Sequence, residues 1–493
     1  MSAELPLNRR HWILKTAALG AGVWGLSGAW AQGVRSPTMP PTPSGLDWSQ
    51  QAAIYEVNIR QHTPQGTLRA VEADLPRIRA LGVGIVWLMP LQPIGQARRK
   101  GSLGSYYSIR DYTAVNPEFG TLDDVRSLVQ TAHGLGLKVI LDWVANHTAW
   151  DHPWITEHPD WYRRSDTGEI SAVKANPDDP ADPETWEDVA QLDYASPEMA
   201  VAMIQAMRFW RTEVGLDGFR CDVAGFLPTR FWEVTRQVLQ QDGPLILLAE
   251  SDKPELHAAG FDISYDWKLQ QTLQRIAQGQ SDAQDLLDWW KHRVQRYPSG
   301  SIGLNFLTNH DINSWHGSDL ELYGSVAASQ AMAVLMCTLP GIPLLYSGQE
   351  SVHRRRLAFF ERDSIDWGNR PLESFYTQMI RQRLTQPGLH APLMIDGLEW
   401  LPDANRRVVS FQRVGTHGPR IQISVNLSPE PQTAIGRIKL PPWGWRIGGV
   451  MAPAVAPASR TSAPRKAPAK KAAPAKAPTK TPAKAPPKPP AQR

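Results

Sequence analysis

Cysteine is nearly missing. Cys221 and Cys337 are the only two in 493 residues, so neither a disulfide framework nor a cysteine metal cluster is available, and two buried free thiols are expected. Long hydrophobic runs are missing too: the apolar stretch Ala17 to Trp30 falls short of the roughly 20 residues a membrane-spanning helix needs. Acid is missing in one place, after Ala452, where ten Lys or Arg stand without a single Asp or Glu. The formal charge of +4 therefore belongs to this tail, and the remaining chain is mildly acidic. That balance argues against nucleic acid or another polyanion as substrate and fits a neutral one such as a sugar.

The rest is ordinary globular material, 42% hydrophobic and 20% charged, long enough for two or three domains. Tryptophan is abundant at 20 residues; most are expected in the core, with some indole faces free to stack on flat rings.

The ends of the chain read as accessory. Residues 1–31 hold Arg9-Arg10, the apolar run and the small-x-small site Ala29-Trp30-Ala31, the pattern of a removed signal peptide and hence of an exported protein, periplasmic or secreted. The segment around Arg9-Arg10 resembles a twin-arginine signal, an ordinary secretory signal being the other reading. Residues 32–45 are a Pro- and Ser-rich linker. Residues 451–493 are Ala-, Pro- and Lys-rich, expected to be disordered, with anionic envelope polymers as a candidate partner.

Between them, four apolar segments end in side chains that carry chemistry. Leu137 to Leu141 leads into Asp142, Asn146 and His147, and Leu216 to Phe219 into Arg220 and Asp222. Pro244 to Ala249 runs into Glu250, and Leu304 to Leu307 into Asn309, His310 and Asp311. A helical pattern over 228–241 separates the second from the third, the length of one strand–helix–strand unit. Strands that each end in Asp, Glu, Asn or His describe the C-terminal face of a (β/α)₈ barrel, where such folds keep their active sites.

These four segments, in this order, resemble the four signature regions of the α-amylase family of glycoside hydrolases, and the resemblance runs from about Ile54 to about Arg446. It implies an α/β fold: a TIM barrel over 46–147 and 195–390, an inserted domain B over 148–194 after the third strand, and a small C-terminal β domain over 391–450. The period-two segments Val408 to Gln412 and Ile421 to Val425 independently read as strands of that last domain. By resemblance Asp222 is the nucleophile, Glu250 the acid/base and Asp311 the clamp on the sugar hydroxyls. Tyr107, in the loop after the second strand, is the floor of the sugar site, and His147 and His310 donate to the same ring.

The residues support that chemistry in their own right. A retaining glycosidase needs two carboxyl groups about 5–5.5 Å apart, and neighbouring strand ends, about 4.8 Å apart, suit it. Arg220 is expected to keep Asp222 ionised, and Glu250, following a purely apolar run, to be held protonated. Asp142 and Asn146 are expected to hold loops. No cofactor is required by this chemistry. Many family members bind calcium through the signature asparagine and a domain B aspartate; here Asn146 is the one candidate ligand, and Gln191 stands where the acid would be. Where α-amylases often carry Lys-His beyond the nucleophile, this chain has Gly225-Phe226, which makes Phe226 a candidate acceptor-side platform or a core ring. The expected substrate is an α-glucan or maltooligosaccharide, cleaved hydrolytically. A 4-α-glucanotransferase shares every catalytic residue, and a non-catalytic binding relative would have lost at least one of the three carboxylates. No His-x-His pair follows the first strand, which weighs against a metal-dependent hydrolase.

Overall fold

In the computed structural model, residues 52–179, 183–390, 397–414, 420–448 and 450–451 are described. The segments expected to be a signal peptide, a linker and, Met451 apart, a tail lie outside them. Eight short strands close a parallel barrel: β1 (Ile54–Val57), β2 (Ile85–Leu88) and β3 (Lys138–Trp143), then, beyond an insertion, five more. The insertion folds as a three-stranded antiparallel sheet of β4 (His147–Ala149), β5 (Ala172–Lys174) and β6 (Thr185–Gln191), with β6 in the middle. The barrel resumes with β7 (Gly218–Cys221), β8 (Ile246–Ala249), β9 (Ile263–Tyr265), β10 (Ile302–Asn305) and β11 (Ile342–Tyr346), the last pairing with β1.

Helices cover the outside of the barrel. The helix Leu68–Ala80 starts where Thr67 caps its first turn and buries Leu68, Val71, Leu75 and Ile78, one apolar stripe at helical spacing. Each such side chain contributes about 1.5–3 kcal/mol relative to exposure. The helix Leu122–Gly134 opens with a capping box between Thr121 and Asp124. Close approach of two strands explains one glycine: a Cβ on Gly218 would lie 1.9 Å from the Ile246 carbonyl oxygen across the β7–β8 pair.

Two strand boundaries differ from the sequence expectation. The third barrel strand stops at Trp143, paired with Cys221, and His147 instead opens β4, paired with Gln191. The seventh stops at Asn305, so Asp311 sits at the head of the helical turn Ile312–His316. The helix from Pro197 is α-helical to Phe209 and then winds as a π turn to Val214, closed by Gly215 in the left-handed region. In the two strands the apolar run outlasts the strand because the loop that follows is itself buried at the barrel mouth.

After the helix Glu373–Thr385 the chain forms an antiparallel sheet of β12 (Leu398–Trp400), β13 (Val408–Arg413), β14 (Ile421–Asn426), β17 (Trp445–Ile447) and β18 (Val450–Met451). A side ribbon pairs β15 (Gln432–Ala434) with β16 (Ile438–Leu440). Arg413 of β13 ties it to the barrel, donating to the carbonyls of Thr338 at 2.6 Å and His390 at 2.8 Å. Cys221 in β7 and Cys337 in the helix Val326–Thr338 are both buried free thiols. Among the described residues no helix is long and apolar enough to cross a membrane.

Candidate active site

At the C-terminal mouth of the barrel one guanidinium organises three carboxylates. Arg220 projects inward from β7, fully buried, and its Nη1 donates to Asp142 Oδ1 at 2.8 Å and to Asp222 Oδ1 at 3.1 Å. Its Nη2 stands 2.7 Å from Glu250 Oε1. Burial by itself would lower the Arg220 pKa, but Asp142 and Glu250 raise it, so the cation is secured. The rings of Trp87, Tyr265 and Tyr107 surround the guanidinium, 5.0, 5.6 and 5.9 Å from its carbon.

The surroundings of Glu250 are polar and charged. The run before it is apolar, yet Glu250 is charge-paired with Arg220 and its Oε2 accepts from the backbone N–H of Val223 at 2.8 Å. Sequence neighbours along a strand point into other layers of the barrel; the neighbour that matters comes from the adjacent strand, where Arg220 pairs with Leu248, two residues before Glu250. Val223 itself, next after Asp222, has φ 38 and ψ 43, a left-handed conformation costly for a β-branched residue. Its side chain is held among Val173, Ala175, Trp186 and Val189 of the inserted segment.

Asp142 lies below this cluster. Burial raises its pKa, against the pull of Arg220, to about 6. Its Oδ2 accepts from Tyr107 Oη at 2.9 Å and from Trp87 Nε1 at 3.3 Å. Tyr107 Oη is in turn 2.7 Å from His310 Nε2, and the two rings stack at 5.6 Å. The other nitrogen of His310 pairs with Glu56 Oε1, while Asp311 Oδ2 is 3.1 Å from Nε2. Burial alone would lower the His310 pKa; Asp311 and Glu56 reverse that and raise it to about 9. His310 is thus an imidazolium at neutral pH, a donor at both nitrogens.

The structure therefore links Tyr107, Arg220, Asp222, Glu250, His310 and Asp311 through one unbroken chain of contacts that runs by way of Asp142. His147 and Phe226 belong to a neighbouring group. The indole of Trp186 meets His147 edge-on at 5.8 Å and stacks on the half-buried Phe226 at 6.3 Å. Glu56 was not anticipated. The one signal in the sequence is a carboxylate inside the otherwise unionised strand Ile54-Tyr55-Glu56-Val57.

At the junction where family members hold calcium, Asn146 Oδ1 accepts from Gln191 Nε2 at 3.0 Å, and Asn146 Nδ2 lies 3.2 Å from His147 Nδ1. An amide N–H aimed at the asparagine oxygen occupies the place of a cation, and among the described residues no carboxylate joins them, so this donor set does not fit calcium.

Residues 43–259 match the family model for the α-amylase catalytic domain. The α-amylase MalA of Haloarcula japonica is 30% identical over 409 residues, 78% of this chain and 57% of that one. An α-1,4-glucan:maltose-1-phosphate maltosyltransferase of Rhodospirillum rubrum is 33% identical over 327 residues, 61% of this chain and 44% of that one. The chain thus spans about half the length of these curated relatives. Among solved structures, an α-amylase from Lactobacillus plantarum superposes with TM-score 0.68 at 29% identity, over 78% of this chain and 90% of that one. A noncanonic maltogenic α-amylase, AmyB, from Thermotoga neapolitana gives 0.69 at 29%, over 78% and 87%. With the closed barrel and the strand-end carboxylates Asp222 and Glu250 inside the matched segment, the chain carries the catalytic domain of the α-amylase family of glycoside hydrolases.

Proposed function

We propose that the protein is a retaining glycosidase that cleaves α-glucosidic bonds, with α-1,4-glucans or maltooligosaccharides as substrates, by double displacement. The observation that carries this reading is the pair Asp222 and Glu250, on adjacent strands and both in contact with Arg220. Asp222 attacks the anomeric carbon while Glu250 gives a proton to the departing oxygen; Glu250 then takes a proton from water as water displaces Asp222. Two inversions leave the product α. Positive charge grows on the sugar ring in both steps, and the Asp311 carboxylate is the group placed to compensate it and to clamp hydroxyls. The His310 imidazolium and Tyr107 hold the same ring from the floor, and His147 from the side of the inserted sheet. Calcium takes no part in these steps.

Proton NMR during early turnover of a maltooligosaccharide tests the reading: the α anomer should appear first, and initial release of the β anomer would overturn it. Asp222→Asn, Glu250→Gln and Asp311→Asn should each remove most turnover with the fold intact, and a variant that kept near-full rate would take that residue out of the mechanism.

Transfer to a sugar in place of water is the second reading, favoured by the maltosyltransferase among the relatives. Retention of all three carboxylates supports either activity over a non-catalytic role. Export is part of the proposal, supported by Arg9-Arg10 and the Ala29-Trp30-Ala31 site, and cell fractionation tests it. So is salt-sensitive binding of anionic polymers by the cationic tail, which should vanish on truncation after Met451.

A further inference from the structure

Glu250 gives up and recovers the proton of whichever oxygen leaves or attacks, so the sugar bearing that oxygen lies on the Glu250 side of the bond. The loops that follow the two reacting carboxylates meet on that side. Lys253, in the loop after Glu250, donates from Nζ to the carbonyl oxygen of Gly225, in the loop after Asp222, at 2.9 Å. The same Nζ lies 3.2 Å from Asp178 Oδ2 of the inserted segment.

Three features make this a built position. Ser251 Oγ accepts from the Lys253 backbone N–H at 3.2 Å, and the Lys253 carbonyl accepts from Leu256 N–H at 3.2 Å, so the loop is fixed at both ends. A Cβ at residue 225 would lie 2.6 Å from Ser251 Oγ and 3.2 Å from Lys253 Cδ, so the glycine gives Ser251 and the lysine the space they occupy. The side chain stays 35% exposed, and an ammonium has three donors, of which these two partners use two.

We propose that Lys253 is an acceptor-side specificity residue, hydrogen-bonding a hydroxyl of the sugar that leaves from, or attacks, the Asp222 ester, with Gly225 making room for it. The proposal rests on the double-displacement reading. In transfer, the acceptor oxygen bonds to the anomeric carbon as the ester bond to Asp222 breaks, and the acceptor proton passes to Glu250. Lys253 exchanges no proton; it holds the acceptor ring. Because Asp178 already balances its charge, the partner it suits is a neutral hydroxyl and not an anion.

The test uses the full chain with α-maltosyl fluoride as donor, whose fluoride leaving group makes no sugar contacts, and maltose as added acceptor. Lys253→Met should lower the ratio of transfer to hydrolysis on the order of tenfold, the size of one charge-assisted hydrogen bond, and Lys253→Arg should restore part of it. Asp178→Asn, which keeps the ammonium, should leave the ratio near the wild-type value. An unchanged ratio in Lys253→Met, with a lowered melting temperature shared by Asp178→Asn, would mean that the lysine only braces the inserted segment, and the proposal fails. Inhibition by inorganic phosphate that disappears in Lys253→Met would assign the ammonium to an anion and overturns it equally. If the wild type released no fluoride, the hydrolase reading itself would fall, an outcome distinct from release with an immovable ratio.

Discussion

The backbone N–H of Val223 donates to Glu250 Oε2 at 2.8 Å, so the residue that follows Asp222 positions Glu250. This N–H points at Glu250 because Val223 adopts φ 38, and the side chain that bears the strain is packed into the inserted segment. Packing of the insertion and geometry of the carboxylate pair are coupled at one residue.

That coupling predicts an unusual order of stabilities. Replacing a side chain by glycine normally costs more than replacing it by alanine, but in the left-handed region alanine keeps the strain and glycine sheds it. Val223→Gly should therefore be more stable than Val223→Ala by about 1 kcal/mol, measured by urea unfolding. Both should lose turnover, since neither refills the space among Val173, Trp186 and Val189.

Arg220 pairs with three buried carboxylates, so Arg220→Ala leaves uncompensated charge and should cost about 3–5 kcal/mol of stability together with most activity. Arg220→Lys keeps the charge but has no fork to span the three partners, and should recover part of the melting temperature while recovering little of kcat. Parallel thermal and kinetic measurements on the two variants check this.

His310 makes stability depend on pH. Its folded pKa of about 9 exceeds the unfolded value of about 6.5. The imidazolium thus contributes stability that is fully present below about pH 6.5 and is lost as pH rises through about 9. Melting temperature should fall across that window. Glu56→Gln removes one of the two carboxylates responsible and should shift the fall to lower pH, whereas an unmoved profile would exclude the Glu56–His310 pair as its source.

A chelator should leave the melting temperature unchanged, because Gln191 Nε2 fills the oxygen of Asn146. Gln191→Asp replaces that donor by a carboxylate, and added calcium should then raise the melting temperature of the variant and not of the parent.

The barrel and the strand-end side chains of its candidate site are legible in the sequence because they are local. Side chains alternate along a strand, so Arg220 and Asp222 share a face, and an acid closing an apolar run such as Leu245 to Ala249 can only sit at a strand end. What lies across strands is not local. Glu56 meets His310 because β11 closes the barrel onto β1, which brings residues from opposite ends of the domain into contact. Arg220 reaches Glu250 because β7 and β8 pair in register, and this decides the charge environment that the apolar sequence before Glu250 misrepresents. The left-handed turn at Val223 and the lysine seated on Gly225 likewise depend on how two loops and an inserted sheet pack together. The sequence by itself determined that Asp142, Asp222, Glu250 and Asp311 end or follow barrel strands; tertiary structure alone decided what each one touches and that Glu56 joins them, because a side chain's partners are set by strand register and ring closure and not by its neighbours along the chain.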